Sequence, residues 1–203
     1  MSDFSLFEAM RTQRAIRRYS SKPVSEDDIN TILGAAIRAP SGGNSQPWHF
    51  LVIRTSENRG KLAAWYREAW ENLFKNMQNP EEELPQSTRS GRVLADAMSQ
   101  VPVLILVCAD RSTGNVDPVV GGASIFPAIQ NLLLAARGLG LGSVLTTIHR
   151  RHEAEIKALL GIPEHVATIA LIPVGYPAEG EHFGGSIRKP LKEVMFHEYW
   201  GKA

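Results

Sequence analysis

The sequence predicts an α+β domain, and three observations predict it. Four short apolar runs, at 48–53, 103–109, 143–147 and 166–174, have the length and composition of buried strands. The segments around them repeat apolar residues at helical spacing or carry helix start and stop residues. The chain of 203 residues is long enough for one substantial core and too short for two, so a single domain over 1–203 is expected.

The elements follow in order. A first helix is expected after Ser2 and Asp3, with Leu6, Phe7 and Met10 on one face, running into a basic stretch around Arg14, Arg17 and Arg18. Ser25 with Asp28 three residues on reads as the start of a second helix, a variant of the capping box. Ile29, Ile32, Leu33, Ala36 and Ile37 give that helix one buried stripe, and Pro40 stops it. After the strand at 48–53, the region 57–100 reads as a helix, a polar and mobile connection, and another helix, which together cover a substrate. A long helix beyond Pro118 is apolar nearly all round (Ile125, Phe126, Ile129, Leu132, Leu133), which requires burial on every side and makes a subunit interface a natural location. Gly138 and Gly140 end it. A short helix from about His152 to Leu160 stops at Gly161. The tail at 178–203 is an arm carrying Val194, Met195, Phe196, Tyr199 and Trp200, too apolar to remain in water; a second copy of the chain is one surface that could cover it.

Composition removes several classes. Hydrophobic residues make up 43% and charged residues 21%, with a net charge of +1, so nothing in the whole-molecule charge calls for nucleic acid or an anionic membrane. Cys108 is the single cysteine, which excludes an intrachain disulfide and a cysteine-based metal site; its apolar run makes it a buried structural thiol. The N-terminus lacks the pattern of a signal peptide, and no run reaches membrane-spanning length, so a cytoplasmic location is expected. Neither a G-x-S-x-G, an H-E-x-x-H nor a P-loop is present, and the histidines have no metal spacing; His149 and His152, beside two arginines, read as surface residues.

Four patches carry chemistry. Arg14 and Arg17, three residues apart, can point the same way on a helical turn and offer forked donors suited to phosphate. The run Pro40-Ser41-Gly42-Gly43-Asn44-Ser45-Gln46-Pro47-Trp48 joins a helix to a strand with two glycines and four small polar side chains, more than a simple turn needs; such a rim suits a flat heteroaromatic ring. Leu145, Thr146 and Thr147 close the third strand, and Arg188 with Lys189 offers a further cationic claw in the tail. Taken singly, the arginine pair, the threonines and the tail cations are ordinary surface and strand features.

In this order the patches resemble the FMN-dependent nitroreductase superfamily: an R-[SA]-x-R segment, then P-S-x-x-N-x-Q-P-W, a small-residue strand end, Gly175-Tyr176-Pro177, and Arg188-Lys189-Pro190-Leu191. The likeness covers almost the whole chain. It implies a three-layer fold with a mixed central sheet flanked by helices, a homodimer with FMN at the interface, and a C-terminal arm laid on the partner. It also implies that Arg14, Ala15 and Arg17 hold the phosphate and the N1/O2 edge of the ring, with Arg188 as a further phosphate ligand. Ser41, Gly42 and Asn44 would meet the pyrimidine side, and Leu145, Thr146 and Thr147 would lie near N5. Ala15 stands where many relatives have serine, so only its backbone N–H can serve. Gly43, Trp70 and Phe74 are the candidate substrate contacts, and no side chain is assigned as catalytic. The implied activity is ping-pong hydride transfer from NAD(P)H through the flavin to a small electron-poor acceptor, such as a nitroaromatic or a quinone.

Alternative activities come with the same resemblance. Segments 139–147 and 174–191 are similar to the iodotyrosine deiodinase branch, a reductive dehalogenase whose lid Glu, Tyr and Lys clamp an amino-acid zwitterion; here Glu71, Phe74 and Arg92 fall in that zone, with no tyrosine in place. The flavin-destroying branch that makes the lower ligand of cobalamin, and a non-catalytic FMN-binding or storage protein, are the others.

Overall fold

The computed structural model describes residues 4–77, 84–112 and 118–202. Its sheet has the order β1-β2-β4-β3, with β1 Trp48–Ile53, β2 Val103–Asp110, β3 Gly142–Ser143 and β4 Val166–Gly175. Every ladder among these strands is antiparallel. The parallel component of the expected mixed sheet is a single bridge between Ala15 and Ser143. The expected third strand at 143–147 is shorter than its sequence suggested: after Ser143 the chain leaves the ladder and returns only at Thr146, which bridges Leu171.

β2 lies at the centre and shows why the domain has three layers. Val103, Ile105 and Val107 pack with Ile29, Ile32, Ile125 and Ile129 on one face, while Leu104, Leu106 and Cys108 pack with Leu62, Tyr66, Leu94 and Met98 on the other. Side chains alternate along a strand, so a run that is apolar at every position needs a cover on both faces. The first cover is α2 (Glu26–Ala36) with α5 (Pro118–Gly138); the second is α3 (Ser56–Phe74) with α4 (Gln86–Ala97). Ser25 caps α2 by accepting from the Asp28 N–H at 3.0 Å, as its sequence predicts. Ile29, Ile32 and Ala36 are fully buried there, whereas Ile37 is exposed. Cys108 is buried, and desolvation pushes its thiol up to about 12, so it is an inert core group. The connection expected between α3 and α4 lies partly outside the described residues.

Two apolar surfaces depart from expectation. α1 (Leu6–Thr12) is capped by Ser5 rather than Ser2 or Asp3, and it docks through Ala9 and Thr12. Leu6, Phe7 and Met10 therefore face outward; Phe7 is 81% exposed. The tail is first tied down, with Gly184 N–H donating to the Thr12 carbonyl at 2.7 Å and Arg137 between the rings of Phe4 and Phe183. Beyond Gly185 the arm is exposed, Ile187 at 94% and Trp200 at 92%, so this chain does not cover it. α5 buries Ile125, Ala128, Ile129, Leu132, Leu133 and Ala136, but Ala123, Phe126 and Gln130 leave one side of it exposed, so burial on every side is not found. A short helix, α6 (Glu153–Leu160), ends at Gly161 in the left-handed conformation, as expected.

Gly142 packs closely against the N-terminal segment at Ile16. A Cβ there would sit 2.7 Å from Ile16 Cγ2, and Ile16 is completely buried. Gly142→Ala is expected to lower stability by about 1–3 kcal/mol through overpacking. Urea unfolding checks this; an unchanged midpoint would show that Ile16 relaxes freely.

Candidate functional site

The segment from Arg14 to Tyr19 is extended, not helical, because α1 has already ended at Thr12. Ala15 bridges Ser143, and the Ile16 N–H donates to the Ser143 carbonyl at 3.2 Å. The Tyr19 hydroxyl donates to the Ile16 carbonyl, which ties the far end down. An extended backbone separates Arg14 from Arg17 instead of stacking them as a helical turn would. Arg14 Nη1 donates to the Gly184 carbonyl at 3.2 Å and lies 3.5 Å from His182 Nε2, on the tail side. Arg17 turns the other way and lines a cleft.

That cleft encloses about 330 Å³ between the sheet end and the helices α3 and α4. Arg17, Val144, Leu145, Thr146 and Ile148 form one wall; Tyr66, Trp70, Thr88, Gly91 and Leu94 form the other. Thr146 is fixed by a reciprocal pair of backbone hydrogen bonds with Leu171, at 3.1 and 2.9 Å. Its hydroxyl lies 2.8 Å from the Tyr66 hydroxyl, both groups buried. Burial raises the Tyr66 phenol above its ordinary range, with the Thr146 hydrogen bond and the Arg17 charge opposing, so it stays neutral and available as a hydrogen-bond partner. Arg17 is half-buried and makes no ion pair among the described residues. A guanidinium held at a cleft without a carboxylate partner is a site for an anionic or electron-rich group.

The structure thus brings Arg17, Leu145, Thr146 and Trp70 together, with Ala15, two residues before Arg17, on the bridge to Ser143. Thr147 is exposed at the start of the turn that follows. Phe74 is one helical turn beyond Trp70, ring centroids 4.9 Å apart, and supports that indole rather than lining the cleft. Arg188 is exposed on the arm and donates to the carbonyl of Ile187 at 3.0 Å. Glu71 and Arg92 are exposed, and Arg92 faces Asp96 at 3.8 Å.

Ser41, Gly42, Gly43 and Asn44 lie outside this cleft. Their loop folds on itself: the Ser41 hydroxyl accepts from the Gln46 N–H at 3.0 Å, and the Gly42 N–H donates to the Ser124 hydroxyl at 3.2 Å. Gly43, Asn44 and Gln46 all have positive φ, between 48° and 58°. Three such residues within four positions make a stiff, outward-turned rim, with Gly42, Gly43 and Asn44 exposed. Within one chain the two halves of the predicted constellation are therefore separate surfaces.

His149 corrects the sequence reading: it is buried, not superficial, and neither ring nitrogen has a hydrogen-bond partner. The turn Ile148–His152 points it inward while Arg150 and Arg151 point out. His152 is also largely covered and stacks on Trp65. Thr88, Gly91 and Leu94 were not legible as cleft residues, although a glycine within an otherwise amphipathic helix is a signal for close approach. Among the described residues there is no group of three metal-ligating side chains, and no helix is long and apolar enough to cross a membrane.

A three-layer domain with a cationic cleft at its sheet end matches known proteins. The chain belongs to the Nitroreductase family, whose model matches residues 10–176, and it is a nitroreductase-family oxidoreductase. A protein of Methanothermobacter thermautotrophicus with the provisional name NADH dehydrogenase/NAD(P)H nitroreductase is 37% identical over 182 residues, covering 88% of this chain and 81% of that protein. Iodotyrosine deiodinase 1 of Rattus norvegicus is 29% identical over 201 residues, 96% of this chain and 70% of that protein. Among solved structures, a provisionally named nitroreductase of Desulfovibrio desulfuricans in complex with FMN has a TM-score of 0.73 at 32% identity, covering 98% of this chain and 99% of that one.

Proposed function

We propose that the protein is an FMN-dependent NAD(P)H oxidoreductase that works as a homodimer. The observation that carries this is Arg17, without an ion pair among the described residues, on a wall shared with Leu145 and Thr146 in a cleft of about 330 Å³. The donor set suits FMN: a cation for the anionic edge of the ring and a fixed hydroxyl pair at Thr146 and Tyr66. When bound, FMN supplies hydride transfer in two half-reactions, from NAD(P)H and then to a small electron-poor acceptor such as a nitroaromatic or a quinone.

The chain's own groups bind and orient. Arg17 offsets negative charge on the ring edge, which favours the reduced state. Ala15, with no hydroxyl, can contribute only its backbone. The rim of Ser41, Gly42 and Asn44, too distant from this chain's cleft to line it, would complete the cleft of a second copy. The outward apolar faces of α1 and the arm, with Phe126, supply contact area for that pairing. Arg188, carried by the arm, would add the phosphate contact. A cytoplasmic setting belongs to the same reading.

A visible absorption spectrum of the purified protein, followed by anaerobic titration with NADH and NADPH, tests the proposal. Flavin absorbance that bleaches with at least one nicotinamide and returns with a quinone is the expected result. Colourless monomer that takes up no added FMN would sink it. The likeness to iodotyrosine deiodinase gives a second reading, reductive dehalogenation, and iodide release from iodotyrosine measures it. Against that reading, Glu71 and Arg92 are exposed and no tyrosine stands with them.

A further inference from the structure

The acceptor side of the cleft is shaped by a contact between α3 and α4. Trp70 presents the six-membered part of its indole to Gly91, and a Cβ built at Gly91 would stand 2.5 Å from Trp70 Cη2 and 2.8 Å from Cζ3. Both residues line the cleft. Glycine in a helix interior is less favourable than alanine, so this position lowers the intrinsic stability of α4 while giving the indole somewhere to rest. Phe74 takes another side of Trp70, with ring centroids 4.9 Å apart on the same helix, and Trp70 also faces the cleft. The cleft is thus an open direction for an indole pushed off Gly91.

We infer that Gly91 is the position that sets acceptor size, by letting Trp70 lie back against α4 and leave room for a planar aromatic acceptor of two fused rings. This rests on the oxidoreductase reading only for the word acceptor; the room itself is a property of the chain. Any side chain at 91 drives the indole into the cleft and narrows the slot to a single ring. The ligand class is uncharged, flat and aromatic, because the described lining beyond Arg17 is apolar, aromatic or hydroxylic, and an aromatic wall favours an offset-stacked partner.

The test uses the purified protein with its bound cofactor and compares 2-naphthol with phenol by calorimetry, neither being reducible. The wild type is expected to bind 2-naphthol at least 10-fold more tightly than phenol. Gly91→Ala should lower that ratio to near one, and adding Trp70→Leu to Gly91→Ala should restore it, because the displaced wall has been removed. Parallel kcat/KM ratios for 1,4-naphthoquinone over 1,4-benzoquinone should follow the same order. A ratio unchanged in Gly91→Ala, or lowered and not restored in the double variant, overturns the inference. A wild type with no flavin overturns the proposed function instead and leaves the naphthol comparison intact, so the two failures are distinguishable. Circular dichroism confirms that each variant is folded, and Gly91→Ser serves in place of an alanine variant that is not.

Discussion

Arg17→Ala should weaken FMN binding by about 1.5–3 kcal/mol, or about 10- to 150-fold in Kd, the usual worth of a hydrogen bond to a charged group. The size follows from the setting. Arg17 is half-buried at the cleft, has no carboxylate partner among the described residues, and lies close enough to Tyr66 and Tyr19 to favour their ionised forms. Arg14 cannot simply take its place, because it donates to the Gly184 carbonyl on the tail side. Arg17→Lys should recover part of the loss by charge but not the planar fork. Arg188→Ala should cost a similar amount by removing a phosphate contact carried on the exposed arm. Equilibrium dialysis or flavin fluorescence of the stripped protein gives the constants. Equal affinity in Arg17→Ala and wild type would remove Arg17 from the cofactor site.

The second large effect is on stability against pH, through His149. Burial lowers its imidazole from 6.5 to about 4; Glu153 and the Thr146 backbone favour the charged form, Arg150 opposes it, and burial wins. Because the ring is shut away from water, protonation inside the fold is unfavourable. The unfolded chain takes up this proton at the ordinary pKa and the folded chain only near 4. Between those values the unfolded state therefore binds more protons, and stability rises with pH. The contribution is complete above about pH 6.5, declines as pH falls, and is gone below about pH 4. Its size is about 3 kcal/mol, from the conversion of 1.36 kcal/mol per pKa unit. Urea unfolding of wild type and His149→Leu at pH 7 and pH 4.5 isolates it, because the other titrating groups are common to both. The variant should lose about 2–3 kcal/mol less over that interval; identical losses would show that His149 titrates freely.

Much of the scaffold was readable from residue order because its determinants are local. β1 begins and ends where its apolar run does, Ser25 caps α2, and Gly161 closes α6. The loop at 40–48 announced itself by its density of glycine, proline and small polar residues. Other expectations failed where a local rule met a non-local constraint. The arginine pair was placed on a helical turn, but bonding to Ser143 holds it extended. Leu6, Phe7 and Met10 follow helical spacing faithfully, yet the helix docks by Thr12 and leaves them outside. His149 sits beside two arginines in sequence, and only the turn that carries it sends its ring inward while Arg150 and Arg151 face out.

Residue types and spacing by themselves determined the fold class, three of the four strands, the ends of α2 and α6, the inert thiol and the family to which the chain belongs. These depend on alternation, capping and short motifs, which a few neighbouring residues suffice to set. Only the folded chain decided that Arg17, Thr146, Tyr66 and Trp70 share one cleft while Ser41, Gly42 and Asn44 face elsewhere, and that Gly91 makes way for an indole on another helix. Those facts are distances between residues far apart along the backbone, and close packing of the layers against β2, rather than local propensity, sets them.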